Sequence, residues 1–260
     1  MKNPRFKTVY LLLLLFFSFG WMIDKTEAQN NDWQKEELKG KVKSIKEIQY
    51  RAWDTTGMLE KGEIWYNGYR IYNEKGNLIE KNEYKANDSL RSKTIYKYDN
   101  NGKKTEWTYY TYDNSIEIML NNKYDKKGNC IEVNNYYSNG SLKYKQIYKY
   151  DNKGNKIEYE DYYPDSSMCS KTIYKYFDKG RREEIFDYNS DDSFENKAIY
   201  LYDEKGNYVE EQIYNSDGSY RNKLIFKDEF DANGNWIKQV SYWGKSNEPE
   251  EISEREIIYY

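Results

Sequence analysis

Six glutamates recur along the chain with a constant spacing of 26 residues: Glu80, Glu106, Glu132, Glu158, Glu184 and Glu210. A pair of carboxylates can hydrolyse a glycosidic bond without help from histidine. Such a pair would be a singular departure from the repeat, whereas every copy of this column offers the same carboxylate. The pattern therefore indicates solvated glutamates that balance neighbouring lysines, and the sequence predicts no catalytic residue.

The chain contains no histidine, which is the commonest general base and the commonest metal ligand. Catalytic arrangements built on histidine are therefore excluded. The acidic run DYNSDD at 187–192 lacks the glycine and the closing glutamate of an EF-hand loop. Each glycine of the repeat precedes a predicted strand, which is not the context of a phosphate-binding loop. We expect a protein that is not an enzyme and that binds no metal or cofactor.

The two cysteines, Cys130 and Cys169, occupy different phases of the repeat. The predicted hairpin layout places them at opposite edges of the sheet, three strands apart. A disulfide needs Cα atoms within about 7 Å of each other. We therefore expect two thiols, although an exported chain would permit a disulfide.

Aromatic residues are the main candidates for binding, because the chain has 31 tyrosines, seven tryptophans and nine phenylalanines. Aromatic rows suit stacking on sugars or recognition of a protein; the alternative is that the same rows are the core of the sheet. Tryptophans that break a repeated column are the better candidates, because a scaffold does not require them. The predicted ligand-binding residues are Trp107, Trp236, Trp65, Trp243, Tyr148, Tyr150, Tyr174 and Tyr176.

The elements that carry these residues follow one period. Glycines keep the 26-residue step from Gly76 to Gly206, and a tyrosine column and a serine column keep it as well. Three residue types with one spacing indicate a tandem repeat. The unit at 142–167 contains two runs of alternating polar and apolar residues, each followed by a turn signal. The sequence predicts an all-β fold of tandem 26-residue β-hairpins that form a long twisted or coiled antiparallel meander.

Periodicity alone leaves open whether this meander stays open, coils into a spiral or closes into a barrel, and it does not fix the register of the strands. We expect N-terminal cap strands at 29–65, the repeat domain at 66–243 and a C-terminal cap strand at 244–260. A membrane barrel needs one apolar, lipid-facing side. Here lysines flank the isoleucine column, so we expect no membrane insertion of the mature chain.

Residues 1–28 have the features of a secretory signal peptide. Lys2, Arg5 and Lys7 precede an apolar stretch at 9–23, which is shorter than the ~20 residues that span a membrane. We expect cleavage after Ala28 and a location in the periplasm or at the cell surface. The full chain has a net charge of −3 with both signs interspersed, so it lacks the basic patch of a nucleic-acid binder.

The string YKYDNKGN at 148–155, with its copies YKYDNNGK from Tyr96 and YLYDEKGN from Tyr200, resembles the bacterial YD repeat of RHS-type proteins. The resemblance covers about residues 66–243. It implies an antiparallel sheet that spirals and a possible role in carbohydrate binding. Large members enclose a C-terminal toxin in a shell, but this chain is far shorter, so only the scaffold and the binding role carry over. A weaker likeness is to MORN-like repeat proteins, including an antitoxin group.

These observations lead to one functional hypothesis and one alternative. We expect an exported, non-enzymatic β-repeat scaffold that binds a glycan or a protein partner. The alternative is an immunity or antitoxin-like protein that neutralises an exported toxin.

Overall fold

The structure is a computed structural model that describes residues 31–176, 182–204, 208–244 and 248–260. The predicted signal peptide at 1–28 lies outside the described residues. In the described part, no helix is long and apolar enough to span a membrane. The elements are α1 (Asp32–Lys35), β1 (Val42–Thr55), β2 (Met58–Tyr72), β3 (Leu78–Tyr84), β4 (Leu90–Tyr98), β5 (Lys104–Thr111), β6 (Ile116–Tyr124), β7 (Cys130–Tyr137), β8 (Leu142–Tyr150), β9 (Lys156–Tyr162), β10 (Met168–Tyr176), β11 (Arg182–Asn189), β12 (Phe194–Tyr202), β13 (Tyr208–Asn215), β14 (Tyr220–Phe230), β15 (Trp236–Trp243) and β16 (Glu248–Tyr259).

These strands form one closed antiparallel barrel. Each strand pairs with the next in the chain, and β16 pairs with β1 from Val42↔Tyr259 to Arg51↔Glu251. The all-β antiparallel prediction is confirmed, but the predicted open, twisted or coiled meander is wrong. The physical reason is that closure pairs the backbone groups of both terminal strands, which an open meander would leave as exposed edges.

The glycine column marks the turns at one end of the barrel. In the turn at 151–155, Asp151 N donates to Asn155 O at 2.9 Å and Gly154 N donates to Asp151 O at 3.1 Å. Gly154 has φ +88°, a conformation that costs glycine little. The Asp151 carboxylate also accepts from the backbone N–H groups of Lys153 and Asn155. The aspartate and the glycine are therefore a turn signature in most repeats, although Asn73 and Phe177 stand in the aspartate column.

The serine column marks the turns at the opposite end. In the turn at 163–167, Asp165 Oδ1 accepts from Ser167 N at 2.9 Å and from Ser167 Oγ at 2.5 Å. The residue before the serine has a positive φ, as at Ser166 (+67°) and Gly140 (+80°). The serine therefore fixes the turn by donating two hydrogen bonds to the side chain two residues before it. This role explains why the serine column keeps the 26-residue period.

The hairpins from β2–β3 to β15–β16 each contain a bulge near the turn, whereas the register shifts of β1–β2 lie further from its turn. Between β4 and β5 the register passes from Lys97↔Glu106 to Tyr98↔Lys104, which leaves Thr105 without an opposite residue. The same irregularity recurs at the other end, between Glu83 and Tyr84. Bulges increase the local twist and bend the bulged strand. Regularly spaced bulges therefore help the sheet to curve and close.

Ion pairs between lysines and glutamates cover the outer face. Lys149 contacts Glu158, and Lys175 Nζ lies 3.3 Å from Glu184 Oε2. Both lysine side chains are more than half exposed, at 54% and 58%. Because successive side chains of a strand alternate in direction, the residue that follows each of these glutamates faces the interior of the barrel.

A continuous apolar core does not fill this interior. Within the described residues, one buried hydrophobic cluster lies where residues 31–41 meet β1–β3, and a second joins Ala52, Val240 and Ile252. Most tyrosines are half-buried. A barrel of about sixteen strands is wide enough to leave an aqueous lumen, and half-burial of its inner side chains agrees with such a lumen.

Residues 31–41 lie across part of the glycine-turn end. Trp33 N donates to Gly76 O at 3.0 Å, and Lys39 N donates to Asn235 Oδ1 at 2.7 Å. The segment therefore reaches from the β2–β3 turn to the β14–β15 turn. The boundaries predicted for the caps and the repeat domain stay predictions; β2 runs through residue 65 without interruption.

Candidate functional site: the lumen of the barrel

On the outer face the lysine and glutamate columns repeat from unit to unit, whereas inner positions on the second strand of each unit vary. The glutamates of the 26-residue column form ion pairs outside, as Glu158 does with Lys149. The residues that directly follow these glutamates face the lumen and differ in every repeat: Lys81, Trp107, Val133, Tyr159, Ile185 and Glu211. The inner positions two residues further on also differ: Glu83, Tyr109, Asn135, Asp161, Asp187 and Ile213. The side chains that could discriminate one ligand from another therefore share the lumen.

Three neighbouring rows of paired residues cross the inner face of β5–β11. The first row is Trp107, Leu120, Asn135 and Tyr144. The second is Asn122, Val133, Gln146, Asp161 and Ser170. The third is Tyr148, Tyr159, Thr172 and Asp187. We call these three rows the aromatic–acidic wall.

A chain of hydrogen bonds runs through the middle of this wall. Tyr148 donates its hydroxyl to Gln146 Oε1 at 3.2 Å, and Gln146 Nε2 donates to the Tyr159 hydroxyl at 2.8 Å. Tyr159 in turn donates to Asp161 Oδ2. The rings of Tyr148 and Tyr159 lie 5.3 Å apart with an interplanar angle of 39°. The chain fixes two rings and one carboxylate relative to each other.

The carboxylates of this wall are held by neutral donors. Burial raises the pKa of Asp161, although hydrogen bonds from Tyr159 and Gln146 oppose the shift. Burial also raises the pKa of Asp187, whose Oδ1 accepts from Thr172 Oγ1 at 2.8 Å. A carboxyl group that is buried without a neighbouring cation keeps its proton more easily than one in water.

Two further lumen carboxyls lie on the opposite side of the barrel. Asp228 Oδ1 accepts from Gln239 Nε2 at 3.0 Å, and burial raises the pKa of Asp228. Glu251 Oε1 accepts from Ser253 Oγ at 2.6 Å. Burial, with the nearby charge of Glu47, raises the pKa of Glu251 to about 7. The lumen therefore carries several carboxyl groups whose pKa is raised by burial.

Several buried polar atoms facing the lumen make no hydrogen bond. Asn135 has 0% exposure, and neither its Oδ1 nor its Nδ2 has a partner. Asp161 Oδ1, Asn122 Oδ1 and Gln49 Oε1 are also buried and unpartnered. A buried polar group left unpaired costs about 1–3 kcal/mol. A bound molecule that supplies the missing partners would recover this free energy.

Charged side chains are paired at the glycine-turn end. Glu47 accepts from Arg70 Nη2 at 2.6 Å and from Arg255 Nε at 2.7 Å. Burial would raise the pKa of Glu47, but the two guanidinium groups lower it to about 2. The Arg255 guanidinium carbon lies 3.3 Å from the ring centroid of Trp236. This cluster stabilises the closed barrel.

A second ion pair ties residues 31–41 to the lumen. The Tyr98 hydroxyl and Leu78 N both donate to Asp32 Oδ2, at 2.6 and 2.8 Å, and Lys104 Nζ lies 3.6 Å from Asp32 Oδ1. Burial opposes ionisation of Asp32, but the Lys104 charge and these hydrogen bonds hold its pKa below the ordinary value. Asp32 is therefore a charged anchor for the segment.

Five of the sequence-predicted site residues lie on the inner face of β5–β10. Trp107 belongs to the first row, and its ring lies 6.2 Å from that of Tyr96. Tyr148 belongs to the third row, and Lys156 Nζ lies 5.3 Å from the ring centroids of both Tyr148 and Tyr174. A depression of about 430 Å³ opens between the turns at 125–129 and 151–155, and Tyr148 and Tyr150 contribute to its lining.

Two predicted residues hold the backbone of the neighbouring strand. Tyr150 donates its hydroxyl to Cys130 O at 2.8 Å, and Tyr176 donates to Lys156 O at 2.6 Å. The Tyr98 hydroxyl lies at the equivalent place, 2.6 Å from Leu78 O, but shares its single proton between this oxygen and Asp32 Oδ2. This tyrosine column therefore repeats because it ties strands together.

The remaining three tryptophans lie on other strands than the wall. Trp236 stacks on Arg255 in the charged cluster. Trp65 on β2 is 41% exposed and lies close enough to Glu251 to oppose the rise in the pKa of that carboxyl group. Trp243 ends β15 and is also 41% exposed. The structure thus does not gather all the predicted aromatics into one site.

The sequence analysis did not single out Asn135 or Asp161, and it considered Asp187 only as part of the acidic run at 187–192. Each follows a column glutamate by three positions, where the residue type changes from repeat to repeat. That variation next to a constant column is the signal that could have identified them. The predicted thiol state of Cys130 and Cys169 agrees with the structure, in which no disulfide joins them and they lie near opposite ends of the barrel.

Comparison with known proteins shows a fold but no family. No protein-family model matches the chain, and no curated protein is similar to it. A porin-like protein from Bacteroides uniformis superimposes with a TM-score of 0.57 at 11% identity, covering 84% of this chain and 96% of that one. A porin-like protein from Bacteroides vulgatus gives a TM-score of 0.50 at 11% identity, covering 84% and 98%. These likenesses show a shared barrel fold alone.

A Tc holotoxin pore from Photorhabdus luminescens is also similar over part of its length. The superposition covers 80% of the present chain and 14% of the toxin chain, at 12% identity and a TM-score of 0.33. At that score the likeness carries no argument. Membership of the YD-repeat group therefore stays a prediction.

Proposed function

We propose that this chain is an exported, non-enzymatic, water-soluble β-barrel that binds a saccharide in its lumen. The observation that carries the proposal is the segregation of the two faces. Lysine and glutamate columns repeat outside, whereas two inner positions on the second strand of each unit vary between repeats, as at Trp107 and Tyr159. A concave surface lined by aromatic rings with a few convergent polar groups is the usual form of a binding site.

The chemistry of the wall suits a polyhydroxylated ligand. The rings of Tyr148 and Tyr159 offer apolar faces for a sugar ring, and their hydroxyls stay within the hydrogen-bond chain. Next to them, the amide of Asn135 and the carboxylate of Asp161 have unmet hydrogen-bonding capacity. Sugar hydroxyls both donate and accept, so they can satisfy both groups.

The outer face argues for a soluble barrel. Lys97 and Glu106 form a 2.9 Å ion pair there, with side chains 65% and 47% exposed. A lysine facing lipid at the bilayer midplane costs about 2–4 kcal/mol, and this outer face repeats lysines and glutamates in successive units. A membrane pore is the second candidate, favoured by the fold shared with the two porin-like proteins.

Partitioning separates these two candidates. The mature chain, residues 29–260, should remain in the supernatant without detergent and should not float with liposomes in a density gradient. Co-flotation with liposomes, and solubility only in detergent, would favour the pore.

Binding tests the proposal itself. The mature chain should retain members of an oligosaccharide array, and calorimetry should give a dissociation constant for them. Trp107→Ala should weaken that binding by about thirtyfold or more, as truncation of an anchor does. Glu106→Gln is the matched control, because Glu106 is adjacent in the chain but faces outside. No retained saccharide, or equal binding by both folded variants, would overturn the proposal.

A further inference from the structure

Asp161, unlike Glu47 and Asp32, is a buried carboxylate with no cation among the groups that act on it. Glu47 lies between two arginines, and Asp32 faces Lys104. The groups that act on Asp161 are neutral: Tyr159, Gln146 and Ser170. In addition, its Oδ1 atom is buried and makes no hydrogen bond. Within the described part of the chain, no side chain supplies a counter-charge to this carboxylate.

Aromatic rings flank this carboxylate. Tyr159 donates to Asp161, and the Tyr148 ring lies 5.3 Å from the Tyr159 ring. The Tyr148 ring already has one ammonium group near it, because Lys156 Nζ lies 5.3 Å from the Tyr148 ring centroid. A carboxylate beside tyrosine faces favours an ammonium group, since both attract a cation.

A second unsatisfied group lies two strands away, at Asn135. Its amide is fully buried, and both of its polar atoms lack a partner. Neighbouring strands are about 4.8 Å apart, so β7 and β9 are separated by roughly 10 Å. Together with Asn122 Oδ1, the wall offers three unpaired oxygens but only one unpaired N–H group. The wall is therefore suited to an extended ligand that is rich in hydrogen-bond donors.

Tyr144 lies between these two points. It pairs with Asn135 across β7 and β8, and it is near enough to Asp161 for that carboxylate to act on its hydroxyl. A ligand that reaches Asn135 and Asp161 at once would recover the free energy of both unsatisfied sites.

We propose that the aromatic–acidic wall is a subsite for an amino sugar. In it, the Asp161 carboxylate binds the ammonium group, the Tyr148 and Tyr159 rings contact the sugar ring, and the Asn135 amide binds hydroxyls of the adjoining unit. The inference rests on the proposed saccharide-binding function and specifies its substrate class. It requires that a free amine be preferred over an acetylated one, because acetylation removes the positive charge.

The test is calorimetry on the mature chain at mildly acidic pH with three probes: the tetramers of glucosamine, N-acetylglucosamine and glucose. The glucosamine tetramer should bind about tenfold more tightly than the other two, equivalent to about 1.4 kcal/mol. Asp161→Asn should abolish this preference and leave weak, equal binding of all three. Glu160→Gln is the matched control, since it removes the same charge from the outer face of β9, where Glu160 contacts Lys149.

The outcomes separate the inference from the proposed function. Equal binding of all three tetramers by the native chain would overturn the amino-sugar inference and leave saccharide binding intact. If none of the three tetramers binds, and no member of the oligosaccharide array binds either, both the amino-sugar inference and the proposed saccharide-binding function are overturned. If Asp161→Asn and Glu160→Gln lower the preference for the glucosamine tetramer equally, the preference arises from the overall charge of the protein. This result would overturn the subsite. Should Asp161→Asn not fold, Asn135→Leu provides the second variant; it should weaken all three tetramers, and unchanged binding would overturn the subsite.

Discussion

Glu47 on β1 accepts a 2.7 Å hydrogen bond from Arg255 Nε on β16, although 208 residues separate them in the chain. Arg70 on β2 donates to the same carboxylate oxygen at 2.6 Å. One buried carboxylate thus joins the first, second and last strands. The pairing of β1 with β16, which turns a meander into a barrel, is centred on this cluster.

Replacing Glu47 should therefore destabilise the barrel strongly. Glu47→Gln leaves Arg70 and Arg255 buried without their counter-charge, which typically costs about 3–5 kcal/mol. Guanidinium-induced unfolding of the native and variant chains measures this difference. Glu106→Gln, which removes a carboxylate from an exposed ion pair, should unfold at nearly the native midpoint. Equal midpoints for both variants would show that the cluster does not hold the barrel closed.

Glu251 should give the stability of the barrel a distinct pH dependence. Its pKa is raised by burial from an ordinary 4.5 to about 7, so the folded state binds its proton more tightly than the unfolded state. This contribution is fully present below pH 4.5 and is lost as the pH rises to about 7. Glu251→Gln should remove that loss and stabilise the chain above neutral pH by up to about 3 kcal/mol. Parallel profiles of unfolding free energy against pH for the two chains would contradict the assignment.

Glu47 should contribute with the opposite sign. Its pKa is lowered to about 2, so its contribution is present above pH 4.5 and is lost as the pH falls towards 2. In Glu47→Gln, this loss of stability at acidic pH should be absent from the profile of unfolding free energy against pH. A profile that falls in acid as steeply as the native one would place the acid sensitivity elsewhere.

Two glycines with similar backbone conformations should respond differently to alanine. Gly76 has φ +84° and Gly140 has φ +80°, so both variants should lose about 1 kcal/mol through backbone strain. At Gly76 the added Cβ would also lie 2.4 Å from Asn31 Nδ2 and 2.6 Å from the Trp33 ring, whereas at Gly140 nothing lies within 4 Å. Gly76→Ala should therefore displace residues 31–41.

Hydrogen exchange measures that displacement. In Gly76→Ala the amides of 31–41 should exchange faster than in the native chain, and in Gly140→Ala they should not. Native protection of 31–41 in both variants would mean that the segment does not depend on its contact with the β2–β3 turn.

The sequence predicted the hairpins because the residues that form turns and outer ion pairs repeat with the fold. Asp151 and Gly154 shape one turn, and Ser167 fixes the other. Closure could not be predicted in the same way. It depends on β1 and β16, which are irregular in sequence and have their cluster of Glu47 and Arg255 outside the period.

The site was predicted in part. Trp107 was identified because it breaks a column, and the structure places it in the wall. Glu158 and Tyr159 show why the rest was missed: they are adjacent in the chain, yet one forms an outer ion pair and the other an inner hydrogen bond. Without the register, the sequence could not assign the variable position beside the constant glutamate to the lumen.

Fluorine NMR of the mature chain labelled with 5-fluorotryptophan tests lumen binding most directly. Trp107 lies in the wall, whereas Trp53 lies in the β1–β2 hairpin, 45% exposed, with its Nε1 3.1 Å from Glu60 Oε2. Tryptophan-to-phenylalanine variants assign the two resonances. On titration with the glucosamine tetramer, the Trp107 resonance should shift and saturate at the calorimetric affinity, while the Trp53 resonance stays in place. A Trp107 resonance that does not move, or a shift confined to Trp53, would contradict binding in the lumen.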